Sequence, residues 1–343
     1  MSATQTARAG TGGDGLRLNA PTGDLLVRLR GIDVAERVGA AAAAGPVAEL
    51  VASGVRFAAS ADVMESRYYQ AMQGLVACIR PAAGEAAVLH EGGVYLGSWL
   101  ESTGTISAEL LSRFMPRVAE ATLMAFARHQ RGDGLLPYKL TAEGPAFAQI
   151  QLVTPPARSV WNHYLANGRD RSFLEMMYAA LARYDRWLAE WRDTRGTGGV
   201  EAFCAYDTGH DLSPRFWHIP DSPQGNDPKS YRRDCPLLPL VAPDLTAAVA
   251  CQRSYLARMA EELGKDPEPW REKATASIAA LFSDCYDEAD GFFYDQDRYG
   301  RHVRVQSDVL LRVLACEVGD DDFFTAALER YLLNTRKFFA KYP

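Results

Sequence analysis

The 343-residue sequence contains no C-x-x-C pair, no basic block and no long apolar run. Its six cysteines, Cys78, Cys204, Cys235, Cys251, Cys285 and Cys316, are widely scattered, which argues against a zinc site and against a disulfide scaffold. Net charge is −6, from 37 Lys and Arg against 43 Asp and Glu, so the electrostatic footprint of a nucleic-acid binder is missing. The longest uncharged stretch, residues 144–157, is interrupted by prolines and too short to span a bilayer. Residues 1–23 are rich in Gly, Ala and Thr and carry no apolar core of a signal peptide. They read as a flexible lead to one domain over residues 24–343, in a cytoplasmic protein with reduced thiols. The glycines between positions 10 and 15 lack the following strand and lysine of a nucleotide loop. No metal and no cofactor is expected.

What the chain does have is helical periodicity. Residues 64–80 place Tyr68, Met72, Leu75, Val76 and Ile79 on one face and stop at Pro81. Ser107 is placed to cap a short helix to Phe114, and Pro116 starts another to Gln130. A further helix spans 155–167. Asp170 caps the clearest one, with Phe173, Met177, Leu181, Tyr184, Leu188 and Trp191 at steps of three or four. Asp244 is read as the cap of the next, running to Gly264, and Asp266-Pro267 opens another. Segments 307–316 and 321–339 complete about nine helices. Only 291–296 and 302–305 read as strands, a hairpin around Tyr299-Gly300. The absence of alternating βαβ units argues against a doubly wound sheet or β/α barrel. An all-α toroid of antiparallel hairpins fits, with long loops gathered at one end.

The most informative of those loops is Asp207-Thr208-Gly209-His210-Asp211-Leu212-Ser213-Pro214-Arg215-Phe216. Gly209 and Pro214 keep it from being helical, and it crowds acids and an arginine between two long helices. An acidic loop alone is a weak signal, since most are simply solvated. Other stretches stand beside it: Tyr95-Leu96-Gly97-Ser98-Trp99-Leu100-Glu101-Ser102, Gln130-Arg131-Gly132-Asp133-Gly134-Leu135-Leu136-Pro137, and the helix from Phe173 to Trp187 that runs on to Arg192-Asp193. A last stretch combines Asp244-Leu245-Thr246 with Met259-Ala260-Glu261-Glu262-Leu263-Gly264-Lys265.

Together these segments resemble the trehalase-like glycoside hydrolases, in particular glucosylglycerate and mannosylglycerate hydrolases and bacterial relatives of processing glucosidase I. There the acid loop reads approximately E-S-G-x-D-N-S-P-R-[WF]. The resemblance implies an (α/α)6 toroid and an inverting, exo-acting hydrolase of a small α-linked glucoside or mannoside. Asp211 takes the general-acid position. The resemblance places the general base far downstream of the Y-P-L-P-S stretch that Tyr342-Pro343 would begin, so the toroid is expected to be incomplete at its C-terminus. Glu143, Glu317 and Asp295 are substitute bases without motif support. Uncovered helix faces would then favour association into a homo-oligomer.

For sugar binding, the resemblance points to Glu101, where the family has an aspartate that holds a sugar hydroxyl, and to Asp207. Tyr95, Trp99 and Trp217 are candidates to stack on a sugar ring. Arg215 either grips a substrate hydroxyl or carboxylate in bidentate fashion or forms a salt bridge to Asp207. His210 reads as a hydrogen-bonded loop residue. Three departures bear on the substrate: Glu101 is one methylene longer than aspartate, Thr154-Pro155-Pro156 replaces Q-P-P, and Leu212 replaces the asparagine after the acid. Two other readings stay open: a sugar epimerase of the same fold, which the dispersed histidines disfavour, and a non-catalytic sugar-binding or assembly protein.

Overall fold

The computed structural model describes residues 22–39 and 45–338. They divide into two compact units at the Ala77–Cys78 junction. Residues 1–21, with most of the expected lead and its glycine run, lie outside the described residues; Thr22 and Gly23 already belong to a helix.

The first unit holds α1 (Thr22–Gly31), α2 (Val34–Arg37), α3 (Pro46–Ala52) and α4 (Asp62–Ala77). Its interior is small: Ile32, Val34, Val38, Val47, Leu50 and Tyr69. Glu65 is buried on the expected apolar face of α4, neutralised by Arg28 at 2.9 Å and Arg37 at 3.2 Å. Tyr68, Met72, Leu75 and Val76 are only half-buried on that face. α4 ends at Ala77, three residues earlier than expected, because residues 79–82, Pro81 included, form a strand paired with Glu85–Leu89.

The second unit is helix-dominated, with α5 (Ala108–Leu111), α6 (Pro116–Arg128), α7 (Pro156–Ala166), α8 (Arg171–Trp191), α9 (Pro243–Glu262), α10 (Glu268–Ala280), α11 (Val309–Leu314) and α12 (Asp321–Ala327). Pro116 and Pro156 occupy first-turn positions, where their missing N–H costs nothing. Asp170 caps α8 as its sequence suggests, accepting from Ser172 and Phe173 N–H at 2.8 and 3.3 Å. α9 is buried on nearly every side, from Leu245 to Ala260, with α7, α8, α10 and α11 packed around it. A helix so covered needs its polar groups paired: Arg253 reaches Asp185 of α8 at 2.6 Å and Ser277 of α10 at 2.6 Å. None of the described helices is long and apolar enough to cross a membrane.

Other boundaries besides that of α4 differ from expectation. Asp244 lies inside the first turn of α9, after Ala242 at the cap position, and its carboxylate is occupied elsewhere. The last expected helix stops at Ala327 and continues as a wider turn to Leu332; Phe339 is outside the described residues. The expected hairpin splits: Asp295–Gln296 pairs with His302–Val303 around Tyr299-Gly300, while Phe292–Phe293 pairs with Tyr286–Asp287.

Two small sheets position the site. One orders His302–Val303, Asp295–Gln296, Leu240–Val241 and Glu201–Ala202, setting Asp295 and the start of α9 beside the approach to the acid loop. The other pairs Ser98–Trp99 with Lys139–Thr141, which pairs in turn with Gly144–Ala146.

Candidate active site

Two loops meet at Gly209. A Cβ built there would collide with Oε2 of Glu101 and approach Cγ2 of Val153 at 2.6 Å, so only glycine, at φ +58°, lets residues 95–101 and 207–217 close on each other. Thr103 anchors the first loop by accepting from Trp99 N–H at 2.7 Å, and Thr105 donates to the Glu101 carbonyl at 3.0 Å. Oε2 of Glu101 is buried without a hydrogen-bond partner. Burial first, then the charges of Asp211 and Glu91, push the Glu101 carboxyl up to about 7, with Arg312 opposing. Glu101 therefore stands near half-protonation at neutral pH, able to donate or accept.

Asp211 is exposed at the middle of its loop. Desolvation and then Asp221 raise its carboxyl above the usual range, against the pull of His210 and Arg312. The direction is the one a proton donor requires. Trp217 is 70% exposed, its indole N–H donating to the Leu212 carbonyl at 3.3 Å. Tyr95 is exposed and sits edge-on to Trp99 at 5.9 Å, with the Lys139 ammonium over Trp99 at 5.4 Å.

Asp207 and Arg215, expected at the sugar, are instead closed inside the protein. Asp207 is 0% exposed. Its carboxylate takes Arg192 at 2.5 and 3.2 Å and the backbone amides of Ile150, Phe203 and Cys204 at 3.1, 2.8 and 3.3 Å. Arg215 forms a salt bridge, but not with Asp207. Nε donates to Asp295 at 2.8 Å. Nη1 donates to Asp244 at 2.9 Å and to His210 Nδ1 at 3.2 Å. Nη2 donates to Asp244 at 2.9 Å and Asp295 at 2.6 Å. A guanidinium has five N–H donors, and all five are used. None remains for a substrate.

This network is what sequence reasoning missed. Because arginine can only donate, His210 Nδ1 accepts, leaving Nε2 to face Asp308 at 2.6 Å. Arg312 of α11 ties in the far side, donating to the Thr208 carbonyl at 2.7 Å and lying 3.2 Å from Asp308. The i,i+4 spacing of Asp308 and Arg312 was the one local signal available. Of the substitute bases, Asp295 is sealed by Arg215, Glu317 accepts from Tyr255 at 2.8 Å, and Glu143 is out in solvent.

The Asp133-Gly134 turn belongs to the support as well. Asp133 accepts from Trp187 Nε1 at 3.1 Å and pairs with Lys229 at 2.9 Å, and a Cβ at Gly134 would lie 2.6 Å from the Arg183 carbonyl oxygen. Among the described residues no cluster of His, Cys, Asp and Glu is arranged to hold a metal ion.

The fold is shared with the GH63 mannosylglycerate hydrolase of Thermus thermophilus. In its complex with Tris that enzyme superposes with a TM-score of 0.65 at 18% identity, over 76% of this chain and 75% of that one. Its complex with glucose gives 0.64 at 19% identity, over 78% and 76%. Neutral trehalase from Saccharomyces cerevisiae gives 0.52 at 13% identity, over 71% of this chain and 54% of that one. No curated protein matches the sequence. The family described as the mannosylglycerate hydrolase MGH1-like glycoside hydrolase domain matches residues 95–343, and the chain belongs to that family of glycoside hydrolases.

Proposed function

We propose that the protein is an inverting, exo-acting hydrolase of a small α-linked glucoside or mannoside, built on the (α/α)6 toroid, with Asp211 protonating the departing oxygen. The observation that carries this reading is the isolation of Asp211. Of the two acids in its loop it is the one left open, with a carboxyl raised by partial burial and by Asp221. Trp99 and Tyr95 offer aromatic faces for the sugar ring, and Glu101 offers a carboxyl able to share a proton with a ring hydroxyl. The family relationship and the glucose complex of the Thermus enzyme support a hexose in this position.

Inversion requires that a second carboxylate activate water from the opposite face, with the two carboxyls roughly 6.5–9.5 Å apart. The test is stereochemical. Proton NMR of an α-mannoside or α-glucoside digest should show the β-anomer of the free sugar first, before mutarotation. The α-anomer appearing first would refute inversion, and release of sugar from β-linked glycosides but from neither α-series would refute the substrate class.

A further inference from the structure

A general acid lies against the oxygen it protonates, so the side chains flanking it border the leaving group. Leu212 follows Asp211 directly, is 90% exposed and sits at φ +61°. Leucine in this left-handed region is strained, and the exposed side chain recovers nothing by packing in the core. The loop nevertheless holds it there: Ser213 N–H donates to the His210 carbonyl at 3.1 Å, and the Trp217 indole donates to the Leu212 carbonyl at 3.3 Å. The Leu212 backbone is thus fixed next to the acid, with the Trp217 indole on its carbonyl, and both apolar side chains are open.

The surrounding charge is acidic. Asp221 acts on Asp211, and Asp211 on Glu101. The cation that acts on Asp211 is Arg312, and it is committed to Asp308 and to the Thr208 carbonyl, while His210, accepting from Arg215, faces Asp308 with its other ring nitrogen. A carboxylate on the leaving group would meet the field of Asp221 here, while the Arg312 guanidinium is already committed, whereas an apolar group would cover Leu212 and Trp217.

We propose that Leu212 and Trp217 wall a leaving-group subsite that takes an uncharged alkyl or aryl aglycone rather than a carboxylate-bearing one; this rests on Asp211 being the proton donor. Lys139, stacked over Trp99, is the rival anchor for a carboxylate.

The experiment measures binding, by ligand-observed NMR titration of the full 343-residue chain and of its Asp211→Asn variant. The probes are methyl, n-hexyl and phenyl α-mannosides and α-glucosides, and mannosylglycerate. The hexyl and phenyl glycosides should bind about tenfold tighter than the methyl glycoside, and mannosylglycerate no tighter than the methyl glycoside. Leu212→Asn should shrink the hexyl-to-methyl ratio by roughly threefold to tenfold. Because asparagine tolerates the left-handed backbone, that variant should also melt higher than the parent, which separates lost recognition from misfolding. Equal affinity across the series, or binding of none of them, overturns the proposal. So does tighter binding of mannosylglycerate that Lys139→Met abolishes. Hydrolysis by Asp211→Asn at the parental rate would instead overturn the acid assignment, leaving the binding preference to be read on its own.

Discussion

The two ends of the acid loop and its middle are built by opposite rules. At the ends, Asp207 and Arg215 are almost fully buried, and each is saturated: one by Arg192 and three backbone amides, the other by Asp244, Asp295 and His210. In the middle, Asp211 and Leu212 are exposed and Asp211 carries a raised carboxyl. Charged residues within a single short loop thus divide into buried anchors and one open carboxyl, the working group of the proposed reaction. Burying a charge is tolerable only when it is paired and hydrogen-bonded. Shifting a carboxyl upward requires the reverse, partial desolvation with no cation in direct contact.

Removing the working group should have the largest effect. Asp211→Asn should lower turnover of an alkyl glycoside by about two to four orders of magnitude, with melting temperature unchanged. The loss should be smaller for an aryl glycoside with an acidic leaving group, which needs less protonation. A variant slowed equally on both would blur the division. At an anchor the consequence should be structural: Arg215→Met strands Asp244 and Asp295 and should cost about 3–5 kcal/mol in denaturant unfolding. A loss of activity without that loss of stability would move Arg215 into the working group.

The third test concerns Glu101. Its carboxyl is raised to about 7 in the folded protein, from an ordinary 4.5, chiefly by burial. Between those values the folded state holds a proton that the unfolded chain has released, so stability falls as pH rises from 4.5 to 7. Above that range the full penalty is present. Glu101→Gln should therefore stabilise by roughly 1–2 kcal/mol at about pH 8 and by much less at about pH 4.5. Melts of both proteins at the two pH values decide it; equal gains at both would assign the effect to packing.

The division between anchors and working group was only half visible in the sequence. Helices such as α8 were legible because a 3.6-residue period and an Asp cap are local signals. Asp211 stood out because a glycine and a proline force its segment into a loop, and the family pattern marks its place. The partners of Arg215 were not legible. Asp244 looks like a helix cap in the sequence, and Asp295 lies 80 residues beyond Arg215, brought in by a two-residue strand too short to show a period. The first unit escaped for the same reason: its three helices before α4 are short, and no shift in composition marks Ala77–Cys78.

The saturation of Arg215 has a consequence for how this enzyme can change. The guanidinium bolts the loop to the start of α9 and to the Asp295 strand, and Arg312 adds a bolt from α11. With the foundation so fixed, position 212 behaves like an interchangeable fitting. On the reading proposed above, residues that tolerate its left-handed backbone, asparagine and glycine among them, can be exchanged there without resetting Asp211 beside it. With Leu212 bordering the leaving group as proposed, a lineage or an engineer can retune what departs from the sugar while Asp211 keeps its place.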